Sequence, residues 1–185
     1  MSTRKGKPYT TSYKKKRSPK QDPYEMSKAP KGPAICRTCK AIYANKRWHI
    51  DSGEARKLAA SPETQKIVCP ACQKIKDDYP EGIVTLKWSD LREHEAEIRG
   101  LIANVQVRAL SVNPLERVMK ITRLRKDLEV QTTNDRLAQR IGRELVRAYK
   151  GKVTNHWAHR DMMVRVTWQG PDEKTKSNSK SKGKG

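Results

Sequence analysis

Apolar residues recur at helical spacing in two stretches of this chain and alternate at strand spacing in several others. Leu91, Ile98, Leu101, Ile102 and Val105 share one face, which predicts a helix capped by Ser89 or Asp90 and ended before Asn113-Pro114. A second helix is predicted over 134–150. Leu137, Ala138, Ile141, Leu145, Ala148 and Tyr149 form its inner arc, and Gly151 closes it in the left-handed conformation favoured just past a helix. The β-rich runs 117–124 and 128–133 flank Arg125-Lys126-Asp127 as one hairpin, and 152–159 and 162–168 form another around Arg160-Asp161. The order helix, hairpin, helix, hairpin predicts an α+β domain over 89–169 with its helices on one face of an antiparallel sheet.

Upstream the pattern is shorter and more broken. Gly82 to Trp88 alternates as a strand, residues 54–60 read as a short helix stopped by Ser61-Pro62, and Ile35, Ile42-Tyr43 and Ile67-Val68 sit beside paired cysteines. Those pairs, Cys36-Arg-Thr-Cys39 and Cys69-Pro-Ala-Cys72, account for all four cysteines. Two C-x2-C knuckles bring four thiolates to one centre, the ligand set of a closed tetrahedral zinc site with no position left for water. We therefore expect Zn2+ held by Cys36, Cys39, Cys69 and Cys72 in a structural role, in a module over 34–88 where each knuckle heads a short hairpin. Two redox-active pairs are the alternative, but no thioredoxin-like βαβ frame surrounds either one. Lys40 and Gln73 stand where many knuckles carry Gly.

Composition then narrows the partners. Lys and Arg number 41 against 20 Asp and Glu, a net charge of +21 on 185 residues. Such an excess attracts phosphate and predicts binding that weakens with salt. The first 33 residues hold ten bases against two acids and five prolines, and 170–185 are rich in Lys and Ser, so both ends are expected to be disordered basic tails. With no Phe and 35% hydrophobic residues, one modest core is what the chain can support. No apolar run approaches the roughly 18 residues of a membrane span, and no signal-peptide pattern is present. The expectation is a soluble, cytoplasmic protein without membrane or small-molecule partners.

The charge also has a pattern. Arg136, Arg140, Arg143, Arg147 and Lys150 follow alternating spacings of four and three on the second helix, making a cationic ridge opposite its apolar arc, with few acids placed to neutralise it. Lys14, Lys15, Lys16 and Arg17 in the amino tail can reach further phosphates, and Trp48, beside Lys46-Arg47, is a candidate for stacking on an unpaired base. Nucleotide-binding, nucleophile-elbow and zinc-protease motifs are missing, and Asp77-Asp78 with Glu81 is the nearest approach to a carboxylate cluster. A non-enzymatic RNA-binding protein follows. The alternative is a zinc-containing DNA-binding or transcription-linked adaptor, against which the lack of helix-turn-helix or C2H2 patterns counts.

The stretch 96–168 resembles a domain of the large-ribosomal-subunit export adaptor family of archaea and eukaryotes. The residues that carry the likeness are Leu128-Glu-Val-Gln-Thr-Thr-Asn134, Leu137-Ala-Gln-Arg-Ile141, Gly151-Lys-Val153 and Val164-Arg-Val-Thr-Trp168. Members of that family also begin with paired C-x2-C zinc knuckles, matched here by Cys36, Cys39, Cys69 and Cys72, and short bacterial zinc-knuckle proteins look similar. The resemblance implies affinity for ribosomal RNA or the ribosome surface, and no catalytic residue. It carries the family's knuckles onto this chain but not its further C-x2-C pairs.

Overall fold

In a computed structural model of the chain, residues 22–24, 30–157 and 163–171 are described. The described residues build two mixed sheets and four α-helices. Three short strands come first, β1 (Ala34–Cys36), β2 (Ile42–Ala44) and β3 (Arg47–His49), then α1 (Ser52–Ala60), β4 (Gln65–Ile67) and α2 (Pro70–Lys76). Asp51 caps α1 by accepting the Glu54 N–H at 2.8 Å. Strand β3 was not legible in the pattern. It follows β2 through Asn45-Lys46, both in the left-handed region at φ 51 and 62, the geometry of a two-residue hairpin turn.

In this first sheet the order is β3-β2-β1-β4, with β1 and β4 parallel and Cys36 level with Ile67. That register sets the two cysteine pairs side by side. The second knuckle does not head a hairpin as expected. Pro70, which has no N–H to leave unsatisfied, occupies the first turn of α2, and the chain winds into a helix.

The second sheet is built from β5 (Gly82–Lys87), β6 (Val118–Leu124), β7 (Asp127–Thr132), β8 (Lys152–Trp157) and β9 (Val164–Gln169), in the order β6-β7-β5-β9-β8. Between these strands run α3 (Glu95–Val112) and α4 (Asp135–Tyr149). The sheet is mixed rather than antiparallel, because β9 inserts beside β5 and runs parallel to it while hairpin pairing to β8 is kept on its other side. Strand β5, read from sequence with the cysteine module, is the central strand here.

Alternation drives Val84, Leu86, Leu128, Val130, Val164, Val166 and Trp168 to one face, where Ile98, Ile102 and Val105 of α3 and Leu137, Ile141 and Leu145 of α4 complete a dry core. Ala148, expected on the inner arc of α4, is exposed instead. Helix α4 lies close to the sheet because Gly142 has no side chain, and a Cβ there would sit 2.8 Å from Val166 and 2.9 Å from Val153. Helix α3 starts at Glu95, later than the spacing suggested. Leu91 is buried by a 3-10 turn over Ser89–Arg92, and the Ser89 hydroxyl donates to Asp90 at 2.7 Å instead of capping a helix. Among the described residues no helix is long and apolar enough to cross a membrane.

Candidate metal centre and basic helix face

The four sulfurs converge from opposite sides of one junction. Cys36 ends β1 and Cys39 lies in the loop that follows, which closes when the Lys40 N–H donates to the Cys36 carbonyl at 3.0 Å. That closure puts Lys40 at φ 63, a backbone position that favours glycine. Gln73 needs no such freedom, because the second pair sits on a helix: Cys69 is the N-cap of α2 and Cys72 lies within its first turn. The Cys72 N–H points at the Cys69 sulfur and the Cys69 N–H at the Cys36 sulfur, each at 3.4 Å.

All four Sγ atoms lie within 4.8 Å of one another, and Cys39 and Cys69 are 3.7 Å apart. A tetrahedron with metal–sulfur bonds near 2.3 Å has sulfur–sulfur edges of about 3.8 Å, so the donor set and its spacing are compatible with zinc. None of the four cysteines is in a disulfide; three are buried and Cys39 is half-buried. The crowded sulfurs perturb one another. The contact with Cys69 holds the Cys39 thiol well below its usual range, and the same contact, with burial, drives Cys69 up. Burial raises Cys72 to about 11. Four thiolates this close repel one another, and a divalent ion at their centre removes that conflict.

A second layer surrounds the cluster. Ala41, Ala71, Trp48, Val68 and Leu115 pack on it, and the Arg117 guanidinium, oriented by the Pro114 carbonyl at 2.8 Å, reaches the Cys72 sulfur at 3.9 Å. The expected stacking candidate Trp48 is therefore half-buried against the cysteines, with its ring 5.3 Å from that of Tyr43. Arg117 was not singled out in the sequence, and no local pattern marks it, since its partner is 45 residues away. The described histidines stand elsewhere: His49 pairs with Glu54 and His94 with Glu97, both at 3.0 Å, and His156 is exposed.

On α4, Asn134 caps the first turn by accepting the Leu137 N–H at 3.0 Å, so a rigid helix carries the basic residues. Arg136, Arg143 and Arg147 are exposed. Arg140 is different. Its guanidinium lies 3.5 Å from Glu116, whose side chain is 6% exposed, so this arginine neutralises a buried carboxylate. Acids thus do attend the ridge, because Glu144 also pairs with Arg147 at 3.1 Å and with Arg108 at 3.9 Å. Lys150 falls past the last helical residue at φ 66, where its carbonyl accepts the Trp168 indole N–H at 2.9 Å. The surface left for a ligand on this helix is the set Arg136, Arg143 and Arg147.

The residues 115–117 join the two features. Leu115 and Arg117 touch the cysteine cluster while Glu116 between them holds Arg140, and the Thr133 hydroxyl locks the segment by accepting the Arg117 N–H at 2.8 Å and donating to the Leu115 carbonyl at 2.6 Å. Lys14, Lys15, Lys16 and Arg17 lie outside the described residues. No protein-family profile, curated protein or solved structure matches this chain.

Proposed function

We propose that this chain is a non-enzymatic, zinc-stabilised RNA-binding protein, cytoplasmic, and attached to the ribosome or its assembly intermediates. The observation that carries this reading is the exposed trio Arg136, Arg143 and Arg147 on a capped helix whose other face is fixed to a sheet. Cations held in place on a rigid element contact phosphate oxygens at a smaller entropic cost than the same cations on a free chain. Zinc would be held by Cys36, Cys39, Cys69 and Cys72, and its chemistry there is structural, because four thiolates leave no open coordination position. The net charge of +21 supplies the long-range attraction. Ribosomal RNA is the chosen partner on the strength of the family resemblance.

Sucrose-gradient sedimentation of the tagged protein from lysate tests it, alongside an Arg136→Glu/Arg143→Glu/Arg147→Glu variant that spares the structural Arg140. The wild type is expected to run with ribosomal particles at low salt and leave them at high salt, and the variant to stay at the top. Wild type at the top at low salt would sink the ribosomal reading and favour the DNA-linked adaptor.

A further inference from the structure

Residues 22–24 were expected to bury nothing, yet both Asp22 and Tyr24 are half-buried against the cysteine module. Their contact is a lysine that is 5% exposed, Lys74 of α2. An ammonium is rarely buried unless it is paired, and here two carboxylates and a ring face meet it. Its Nζ lies 2.6 Å from Glu81 Oε1 and 2.9 Å from Asp22 Oδ2, and 5.6 Å from the centroid of the Tyr24 ring. Glu81 is held by the second sheet, its N–H donating to the Thr132 carbonyl at 3.0 Å and its carbonyl accepting the Val164 N–H at 2.9 Å, whereas Asp22 and Tyr24 arrive from the amino-terminal side.

Further contacts make this a fitted site. The Tyr24 ring packs on Tyr79 at 5.2 Å, and its hydroxyl donates to Asp77 Oδ2 at 3.1 Å. The Tyr24 N–H donates to Asp22 Oδ1 at 2.9 Å, so the segment folds on itself around Pro23 and presents the acid and the ring together. Tyr79 is placed for this by the end of α2. Asp78 turns left-handed at φ 49, and the Tyr79 N–H returns to the Lys74 carbonyl at 2.9 Å, a Schellman closure that sets Lys74 and Tyr79 side by side.

We infer that the Lys74, Asp77, Tyr79 and Glu81 surface is a docking site for the chain's own Asp22-Pro23-Tyr24, and that docking fixes where the basic arm leaves the cysteine module. Arg17 is five positions before Asp22, so a docked segment keeps it within about 18 Å of Lys74's partner. Anchored only at Pro30, 13 positions away, the same residue could range to about 47 Å. Docking therefore concentrates Lys14, Lys15, Lys16 and Arg17 beside the module. The purpose of this confinement rests on the RNA-binding reading, but the docking itself does not, and it can be measured without nucleic acid.

Trypsin provides that measurement on the full chain, because cleavage after Lys20 requires Gln21-Asp22-Pro23 to enter the protease in extended form. The rate is divided by that of a free peptide of sequence 15–27, with cleavage after Lys174 as an internal clock. The wild-type chain is expected to be cut after Lys20 about tenfold more slowly than its peptide, since the protease must wait for undocking. Tyr24→Ala, which lies outside both cores and should leave the circular dichroism unchanged, is expected to be cut about as fast as its own peptide. A wild type cut as fast as the peptide, or a Tyr24→Ala chain as slow as wild type, overturns the dock. Protection that grows with protein concentration overturns its intramolecular form and assigns the segment to a second copy.

Discussion

If the proposed zinc occupies the four-cysteine centre, chelating it is expected to unfold residues 34–76 and leave the second sheet folded. The cysteine module has little else to hold it. Its strands are three residues each, α2 has seven residues, and its two small clusters of buried residues are made largely of the cysteines themselves with Ala41, Ala71, Ile35, Ile42 and Ala55. Helices and sheets this short do not stand alone. A structural zinc supplies on the order of 10 kcal/mol of folding free energy, far more than such a core contributes. The second unit has its own core, centred on Trp168, Leu86 and Ile141, and does not depend on the metal for burial. Amide exchange should therefore lose protection across β1, β2 and α2 on chelation and keep it across β5, β7 and α4. Elemental analysis should give one zinc per chain, and Cys36→Ser should reproduce the chelated pattern. Unchanged protection in β1 and β2 without metal would contradict a structural role.

Arg140→Ala is expected to lower stability by about 2 kcal/mol, while Arg143→Ala changes it by under about 0.5 kcal/mol. The two arginines sit on the same helix face and differ in what they neutralise. Glu116 is buried, and no hydrogen bond reaches its Oε2, so loss of Arg140 leaves a carboxylate in the protein interior with its charge uncompensated. Breaking a fully buried pair costs about 3–5 kcal/mol, and the expectation here is lower because the Arg140 side chain is 34% exposed. Urea denaturation of both variants measures the difference. A cycle with Glu116→Gln assigns it, since removing the charge should make Arg140→Ala nearly harmless. Equal, small effects of the two alanine substitutions would show that Glu116 does not need its arginine.

Arg140 also shows where sequence reading reaches its limit. Periodicity placed α4 and most of its buried face, Ala148 excepted, because those depend on neighbours three and four residues away. It placed Arg140 on the ridge by the same arithmetic, but the acid that engages Arg140 comes from the segment before β6. The cysteines were legible as a cluster because C-x2-C spacing encodes geometry locally. The parallel pairing of β1 with β4 that brings the two pairs together has no local signal, and neither does the insertion of β9 beside β5. The helix at the second knuckle was signalled by Pro70, which suits a first helical turn as well as a tight loop. Strand β3 was missed because its hairpin turn uses Asn45-Lys46 where Asn-Gly is the stronger signal. The burial of Lys74 against Asp22 lay beyond sequence reasoning, since the amino-terminal composition pointed to a segment with nothing to bury.

The salt dependence of affinity tests whether Arg136, Arg143 and Arg147 contact RNA phosphates as proposed. Binding of the zinc-loaded protein to a ribosomal RNA fragment, and to a DNA duplex of equal length, is titrated across a range of salt for the wild type and for the Arg136→Glu/Arg143→Glu/Arg147→Glu variant. Three lost phosphate contacts should reduce the slope of log affinity against log salt by about 2 to 3, with the wild type binding the RNA more tightly than the duplex DNA. An unchanged slope in the correctly folded variant would place the contacts elsewhere on the protein, and equal affinity for RNA and DNA would contradict the choice of RNA as the partner.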